Sequence, residues 1–352
     1  MSGTIRIGII GAGGIVRSRH MVGLGSLEDV AVVAVCNRSR ESGRRFAADY
    51  GVPEVVENWK ELIARDDVDV VWIGTWPYMH REISVAALEA GKHVFCQARM
   101  CRNLAEAREM VAAADGPPDR VTMICPPPMG MSGDRVMRRL LHQERYVGEI
   151  RHVHLRSMSG ICLDPNAEFH WRFDKGLSGQ NTFTLGIYVE VLNRWIGLAR
   201  RVHAVGKIWT ASRPRPETGE RVPVEIPESL NIIAELASGG VGVYEFNGVA
   251  AHGPVDGLEI YGTEGTIHYQ FDVAANERIF AAKVGDKELA EIPIGPDERR
   301  EWTVEADFIK AVRTGDKSAI EPDFHDGIRY MAFIDAVHRS AESNAPADVE
   351  EV

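Results

Sequence analysis

The chain has 352 residues, more than one ordinary hydrophobic core holds, so two domains are expected. With 45% hydrophobic and 26% charged residues it reads as a soluble globular protein, and a net charge of −11 without a basic tract argues against nucleic acid or an anionic membrane surface as its main partner. No apolar run approaches the roughly 20 residues a membrane helix needs, and Arg6 interrupts the N-terminal apolar run that would otherwise resemble a signal peptide, so a cytoplasmic location is expected.

The first predicted element is a strand over Ile5–Ile10, followed by the turn Gly11-Ala12-Gly13-Gly14 and an amphipathic segment opening at Ile15. This is the strand, tight turn and helix start of a dinucleotide-binding unit. Gly11 permits the turn, Gly13 lets the backbone approach a pyrophosphate, and the helix start at Gly14 and Ile15 offers free N–H groups and a positive dipole end. Val16 occupies the third position of the fingerprint, where Gly or Ala is usual. Apolar runs over Val30–Cys36, 68–74, His93–Cys96 and 121–125 follow as strands, separated by helix-like segments such as 39–50 and 79–90. Such alternation predicts an α/β domain over residues 1–125, a Rossmann-type, mostly parallel sheet covered on both faces with its ligand at the carboxyl ends of the strands.

The end of the second strand bears on the cofactor. An Asp or Glu there usually accepts from the ribose hydroxyls of NAD. This chain has Asn37-Arg38-Ser39-Arg40. Without a carboxylate to repel a 2′-phosphate, and with a cation and a hydroxyl at Arg38 and Ser39, NADP(H) is favoured over NAD(H). The alternative is that these are solvated residues opening a helix, with Ser39 as its N-cap.

The run 68–102 carries an Asp-x-Val-x-Ile strand (Asp69, Val71, Ile73), a turn at Thr75 and Trp76, then His80 and the segment Ala90-Gly91-Lys92-His93-Val94. Together with the N-terminal fingerprint these residues resemble the glucose-fructose oxidoreductase, inositol dehydrogenase and rhizopine-catabolism (Gfo/Idh/MocA) family of sugar dehydrogenases, a resemblance that covers the whole chain. Thr75, Trp76 and His80 are assigned to the cofactor. Where the family has Glu-Lys-Pro, this chain has Gln97, Ala98 and Arg99. The family's lysine touches cofactor and substrate and helps move the proton that accompanies hydride transfer. Ala98 has no ionisable atom. Arg99 stays protonated and can orient or stabilise an oxyanion without acting as a base, and Gln97 can hydrogen-bond a nicotinamide or a sugar hydroxyl. A polar surface loop after the strand is the plainer alternative for both.

Pro126, Pro127 and Pro128 mark the passage to a second domain, 126–352, expected to be α+β and to bind substrate and partner subunits. A helix over 135–141 and a strand over 151–158 lead to Phe169-His170-Trp171-Arg172-Phe173-Asp174. Trp171 and Arg172 match the family's Trp-Arg element, and His170 and Asp174 are candidate substrate ligands or merely structural. In the helix predicted over 181–196, the resemblance implies an Asp and a His four residues apart; Thr184 and Tyr188 stand there instead. Spacing of four keeps both on one helical face. A phenol near a cation or a desolvated substrate can have its pKa displaced, so Tyr188 can still exchange a proton. Glu190 and Arg194 read as an i,i+4 ion pair. Strands follow over 202–210, 230–237, Val241–Asn247, 258–262, 266–271 and 278–284, with hairpin turns at 238–240 and 263–265, so this sheet is mostly antiparallel and open. Residues 213–227 are expected to be an exposed loop, and 302–313 and 326–340 to be closing helices. A sheet with one bare face commonly pairs with its copy, so a homo-oligomer, dimer or tetramer, is expected.

Five cysteines, Cys36, Cys96, Cys101, Cys125 and Cys162, lack metal-ligand spacing and read as free thiols in a reducing compartment. The expected activity is hydride transfer between NADP(H), or NAD(H), and a small carbohydrate-like substrate: a sugar, an inositol or a related polyol or ketone. Tyr188 exchanges the hydroxyl proton while Arg99 and His170 position the oxygen. Because all three positions of the resembled Lys, Asp and His set are altered, two other classes stay open. One is a redox-neutral enzyme that retains its cofactor while hydrolysing or rearranging glycosides. The other is a dinucleotide-binding protein without turnover.

Overall fold

The structure is a computed structural model that describes residues 3–116, 119–272 and 276–352. Contacts within the chain divide it into two units, Met1–Pro126 with Thr303–Ile328, and Pro127–Trp302 with Arg329–Val352. A contiguous second domain over 126–352 therefore differs from the observed division. Residues Thr303–Ile328 pack with the N-terminal unit, where Ile124 N–H donates to Pro322 O at 2.9 Å.

The first unit is a parallel six-stranded sheet in the order β3-β2-β1-β4-β5-β6. Its strands are β1 (Ile5–Ile10), β2 (Val30–Cys36), β3 (Glu54–Val55), β4 (Val70–Ile73), β5 (His93–Cys96) and β6 (Thr122–Ile124). The central strands β4 and β5 are buried at every residue, as apolar runs covered on both faces must be. The Trp72 and Phe95 rings stack there at 3.7 Å. The connecting helices are α1 (Met21–Gly25), α2 (Arg40–Tyr50), α3 (Trp59–Ile63), α4 (Pro77–Glu89) and α5 (Leu104–Asp115). Ser39, Asn58 and Asn103 cap α2, α3 and α5, each side chain accepting a backbone N–H of the first turn. The helical turn after the glycines passes through a π-helical stretch, Val16–His20, before α1.

The second unit is built on a nine-stranded sheet in the order β16-β15-β14-β13-β7-β12-β11-β8-β17. In chain order it contains α6 (Asp134–Arg138), β7 (Ile150–Met158), α7 (Lys175–Ser178), α8 (Leu185–Ile196), β8 (Ala199–Lys207), β9 (Ser212–Pro214), β10 (Arg221–Pro223), β11 (Ser229–Leu236), β12 (Val241–Asn247), β13 (Gly257–Gly262), β14 (Gly265–Gln270), β15 (Arg278–Lys283) and β16 (Ala290–Ile292). All neighbours in this sheet are antiparallel except β7 and β12. The helix expected over 135–141 is α6 continued by a π-helical stretch, Arg139–Gln143. The chain then returns to the first unit with α9 (Val304–Thr314). Helix α10 (Phe324–Ser343) leads into the second unit again, and β17 (Ala347–Asp348) closes the sheet edge.

The stretch 213–227 is not simply an exposed loop. Strands β9 and β10 pair as an antiparallel hairpin, and Arg213 is only 1% exposed. Its guanidinium donates to Glu228 Oε1 at 2.7 Å, Cys162 O at 2.9 Å and Asp164 O at 2.7 Å. A carboxylate and two carbonyls pair the two terminal nitrogens of this buried charge, while Nε has no hydrogen-bond partner. Among the described residues no helix is long and apolar enough to cross a membrane.

Candidate functional site

In the first unit, the carboxyl ends of β1, β2 and β4 frame a cleft of about 260 Å³ lined by Gly11, Ala12, Gly13, Asn37, Arg38, Ser42, Gly74, Thr75, Trp76 and Tyr78. Gly11 sits at φ +87°, and a Cβ there would lie 2.6 Å from Thr75 N, so both the turn and the close approach of β4 require glycine. A Cβ at Gly13 or Gly14 would meet nothing within 4 Å, which leaves room for a ligand against the turn. The first bond of the following helix runs from Arg17 N–H to Gly13 O at 3.1 Å, so the N–H groups of Gly14, Ile15 and Val16 stand ahead of it. Val16 fits where a small residue is usual because the facing residue is Gly74; a Cβ on Gly74 would come within 2.4 Å of the Val16 side chain. Open glycines, the first amides of a helix and its dipole end are the donor set a pyrophosphate requires, and these residues fit a dinucleotide.

Asn37 ties the end of β2 to this turn, its Oδ1 accepting from Ala12 N–H at 2.6 Å. Arg38 is exposed on the rim, its guanidinium 5.6 Å from the Trp76 ring centroid. Ser39 is occupied elsewhere: its hydroxyl caps α2, accepting from Ser42 N–H at 3.2 Å, and it does not line the cleft. Ser42, one helical turn further on, does. Sequence reasoning missed Ser42, although its spacing of three from an N-cap serine places it in the helix's first turn. It also missed Tyr78, just inside the start of α4.

His80 is fully buried rather than turned to a ligand. Nδ1 lies 2.9 Å from Arg99 O and 3.1 Å from Met100 O, and Nε2 lies 3.0 Å from Thr75 O. It ties the loop after β4 to the loop after β5, and burial lowers its proton affinity. Gln97 directs Oε1 to His20 Nε2 at 2.9 Å, and His20 Nδ1 meets Glu305 Oε1 at 2.5 Å. The His20 ring packs edge-on against Trp72 and Phe95. Neither His20 nor Glu305 carried a sequence signal, because α9 reaches the sheet only through the chain's return. Arg99 follows a cis Ala98–Arg99 peptide and is buried, 5% exposed, so a polar surface loop does not describe it.

In the second unit, His170 is exposed and precedes a short 3-10 turn, Trp171–Phe173. Its Nδ1 accepts from Arg172 N–H at 3.3 Å, so the neutral ring carries its proton on Nε2. Burial and the Arg172 charge lower its pKa. Asp174 caps α7, accepting from Gly176 and Leu177 N–H, which is a structural role.

Thr184 and Tyr188 come together as the helical spacing predicts, joined through two residues from elsewhere. Tyr188 is 1% exposed, packed against Phe271 and Phe246, and its hydroxyl donates to Asp256 Oδ2 at 2.8 Å. Ser157 Oγ, at the end of β7, donates to the same oxygen at 2.7 Å and lies 3.1 Å from Thr184 Oγ1. Met158 N–H donates to Asp256 Oδ1 at 3.1 Å. The Tyr188 phenol is displaced from its ordinary value, and the displacement is upward. Burial, then the facing Asp256 carboxylate, raises its pKa far above the ordinary value, so the phenol stays protonated.

Compared with known proteins, residues 5–124 match the profile of the oxidoreductase family with an NAD-binding Rossmann fold, and residues 135–268 match the GFO/IDH/MocA C-terminal domain. Levoglucosan dehydrogenase of Pseudarthrobacter phenanthrenivorans is 26% identical over 347 residues, covering 89% of this chain and 87% of that protein. The 1,5-anhydro-D-fructose reductase of Ensifer adhaerens is 38% identical over 109 residues, 31% of this chain and 32% of that protein. Among solved structures, a levoglucosan dehydrogenase in complex with NADH superposes with a TM-score of 0.85 at 23% identity, covering 99% of this chain and 100% of that one. An oxidoreductase domain protein from Kribbella flavida gives 0.85 at 24% identity over the same shares. These likenesses speak to the fold.

Proposed function

The chain belongs to the GFO/IDH/MocA family of oxidoreductases with an NAD-binding Rossmann fold, and from that premise we propose that it is a dehydrogenase moving hydride between NADP(H) and a polyhydroxylated, carbohydrate-like small molecule. A nicotinamide dinucleotide is the family's cofactor. The observation that carries the reading is the cleft at the carboxyl ends of β1, β2 and β4, where the open glycine turn meets Asn37, Arg38 and Trp76. The dinucleotide supplies the hydride acceptor or donor of the reaction.

NADP(H) is the preferred form in this reading. The end of β2 carries no carboxylate, the Asn37 side-chain oxygen is already taken by Ala12 N–H, and Arg38 stands beside Trp76 with its charge available to a 2′-phosphate. The hydroxyl partner at that rim is Ser42 rather than Ser39. Residues 1–126 with 303–328 bind the dinucleotide, and the remainder contributes substrate groups and subunit contacts. A carbohydrate-like substrate is supported by relatives that are named dehydrogenases and reductases of sugar derivatives. In the first unit Arg99 is a buried cation suited to positioning a substrate oxygen, and in the second unit His170 offers a neutral Nε2–H donor with the same capacity. Five free, buried cysteines support a reducing, cytoplasmic setting.

The test is incubation of the purified protein with NADP⁺, NAD⁺ or their reduced forms and a panel of sugars, anhydrosugars and inositols, following reduced-cofactor absorbance and product together. Hydride transfer with at least one substrate is expected. Product without net cofactor change would instead assign a redox-neutral enzyme, and cofactor binding with neither signal a protein without turnover.

A further inference from the structure

The cleft in the first unit has two walls of different chemistry. Asn37, Arg38 and Ser42 bring polar groups from the end of β2 and the start of α2, while Trp76 and Tyr78 bring aromatic rings from the start of α4. Its volume of about 260 Å³ falls below the roughly 300 to 1,000 Å³ of sites that enclose a whole drug-sized ligand, so it takes one part of a dinucleotide. The end of the second strand is where such a fold meets the ribose hydroxyls, so that part is the base with its ribose. A flat heteroaromatic base is held best by another flat ring, and the Trp76 indole is the larger of the two rings in the cleft. Trp76 is fixed at this wall by its neighbour in sequence. Pro77 opens α4, and a residue before proline is confined to extended backbone; Trp76 has φ −83° and ψ 159°. The Arg38 guanidinium lies over the indole, 5.6 Å from the ring centroid. Close stacking brings atoms to about 3.5 to 4.0 Å, so at this separation the ring keeps surface for a base. Among the described residues Arg38 has no ion-pair partner, whereas Arg40 and Arg45 of α2 are engaged by Glu57 at 2.6 Å and Glu41 at 3.0 Å. A long exposed side chain without an ion pair spreads over many rotamers, and contact with the indole narrows them.

We propose that Trp76 has two linked tasks in this cleft: its indole seats the adenine of the dinucleotide, and it holds Arg38 ready for the 2′-phosphate. The first task serves NADH and NADPH alike, because both carry the same base. The second serves NADPH alone, which makes Trp76 a specificity-determining residue that acts through Arg38. The inference rests on the NADP(H) reading above. It separates two contributions that lie side by side in the cleft: stacking, which is insensitive to charge, and a charge-assisted contact that needs the guanidinium in one place.

The experiment titrates the full-length protein with NADPH, NADH and the fragment 2′,5′-ADP by calorimetry, comparing wild type with Trp76→Ala, Trp76→Phe, Arg38→Ala and the Trp76→Ala/Arg38→Ala double variant. Trp76→Ala should weaken NADH by about 5- to 100-fold, the usual worth of a stack between a base and an aromatic ring. It should weaken NADPH and 2′,5′-ADP further, so that the preference for NADPH over NADH falls at least about threefold. Adding Arg38→Ala to Trp76→Ala should then cost NADPH less than Arg38→Ala costs the wild type, the signature of two coupled residues. Trp76→Phe keeps a ring and should recover most of the NADH affinity, while the quenching of tryptophan fluorescence by 2′,5′-ADP shrinks because the stacked indole is gone. If Trp76→Ala does not fold, Trp76→Phe and its quenching carry the test. NADH binding by Trp76→Ala within twofold of wild type, or quenching that Trp76→Phe leaves undiminished, overturns the base seat. An unchanged NADPH-to-NADH ratio in Trp76→Ala, or additive losses in the double variant, overturns the hold on Arg38. All of these leave the dehydrogenase reading standing, since the substrate panel tests it separately. A wild-type protein that binds neither dinucleotide overturns both.

Discussion

Arg38 is the residue on which the proposed preference for NADP(H) turns. Its guanidinium is exposed beside Trp76, and a charge-assisted contact to phosphate is worth about 1.5 to 3 kcal/mol. Arg38→Ala should therefore weaken NADPH by about 10- to 100-fold, with little change for NADH. Equal losses for the two cofactors in parallel titrations would remove the 2′-phosphate contact. At this scale the backbone was legible and the side-chain partners were not. Gly11 could be assigned because a positive φ and a 2.6 Å approach to Thr75 are demands that only glycine meets. Ser39 reads as a phosphate contact with an N-cap as the alternative, and His80 as a cofactor residue. In the fold their side chains bond the Ser42 amide and three backbone carbonyls, partners fixed by the turns around them.

Among the elements, β5 gives the clearest pH dependence. His93 is 5% exposed, and its Nδ1 accepts from Val121 N–H at 3.0 Å. Burial, reinforced by Arg120, lowers its pKa to about 4. The unfolded chain, with an ordinary histidine pKa near 6.5, binds the proton first, so stability falls as pH drops below about 6.5 and the loss levels off only below about pH 4. This one group should take on the order of 3 kcal/mol from the first unit over that window. His93→Asn, which keeps an acceptor without a titrating ring, should flatten the fall in Tm between pH 7 and pH 4; parallel curves would exclude the assignment. In the second unit, the β9–β10 hairpin carries Arg213 against Glu228. Replacing Arg213 by Leu leaves a buried carboxylate without its cation and should cost about 3 to 5 kcal/mol in chemical denaturation. A loss under 1 kcal/mol would mean that Glu228 is satisfied by the Trp209 and Thr210 amides alone. The parallel strands were readable from their continuous apolar runs. The hairpin was hidden because Pro, Arg and Glu dominate it, and its burial comes from one long-range ion pair.

On the scale of the whole molecule, the open face of the nine-stranded sheet presents Val205, Ile233 and Val241 as exposed apolar side chains, 58%, 53% and 39% exposed, on the adjacent strands β8, β11 and β12. A second copy burying this face is the expected partner. Sedimentation should find a dimer or tetramer, and Ile233→Lys should shift it toward monomer without lowering Tm in proportion; a monomeric wild type would sink the idea. The composition could indicate two domains, because 352 residues exceed one core. It could not indicate that Thr303–Ile328 returns to the first unit, since a crossing back leaves no mark on local periodicity.

The amino-acid sequence by itself determined the Rossmann-type sheet, the glycine turn and the family. Each depends on short-range patterns: a run of apolar residues, a backbone conformation, a motif at fixed spacing. Only the tertiary structure decided which side chains meet, as Tyr188 meets Asp256 across 68 residues and His20 meets Glu305 across 285. The physical reason is that a buried polar group must find a partner, and strand register together with the chain's return path decides which one is within reach.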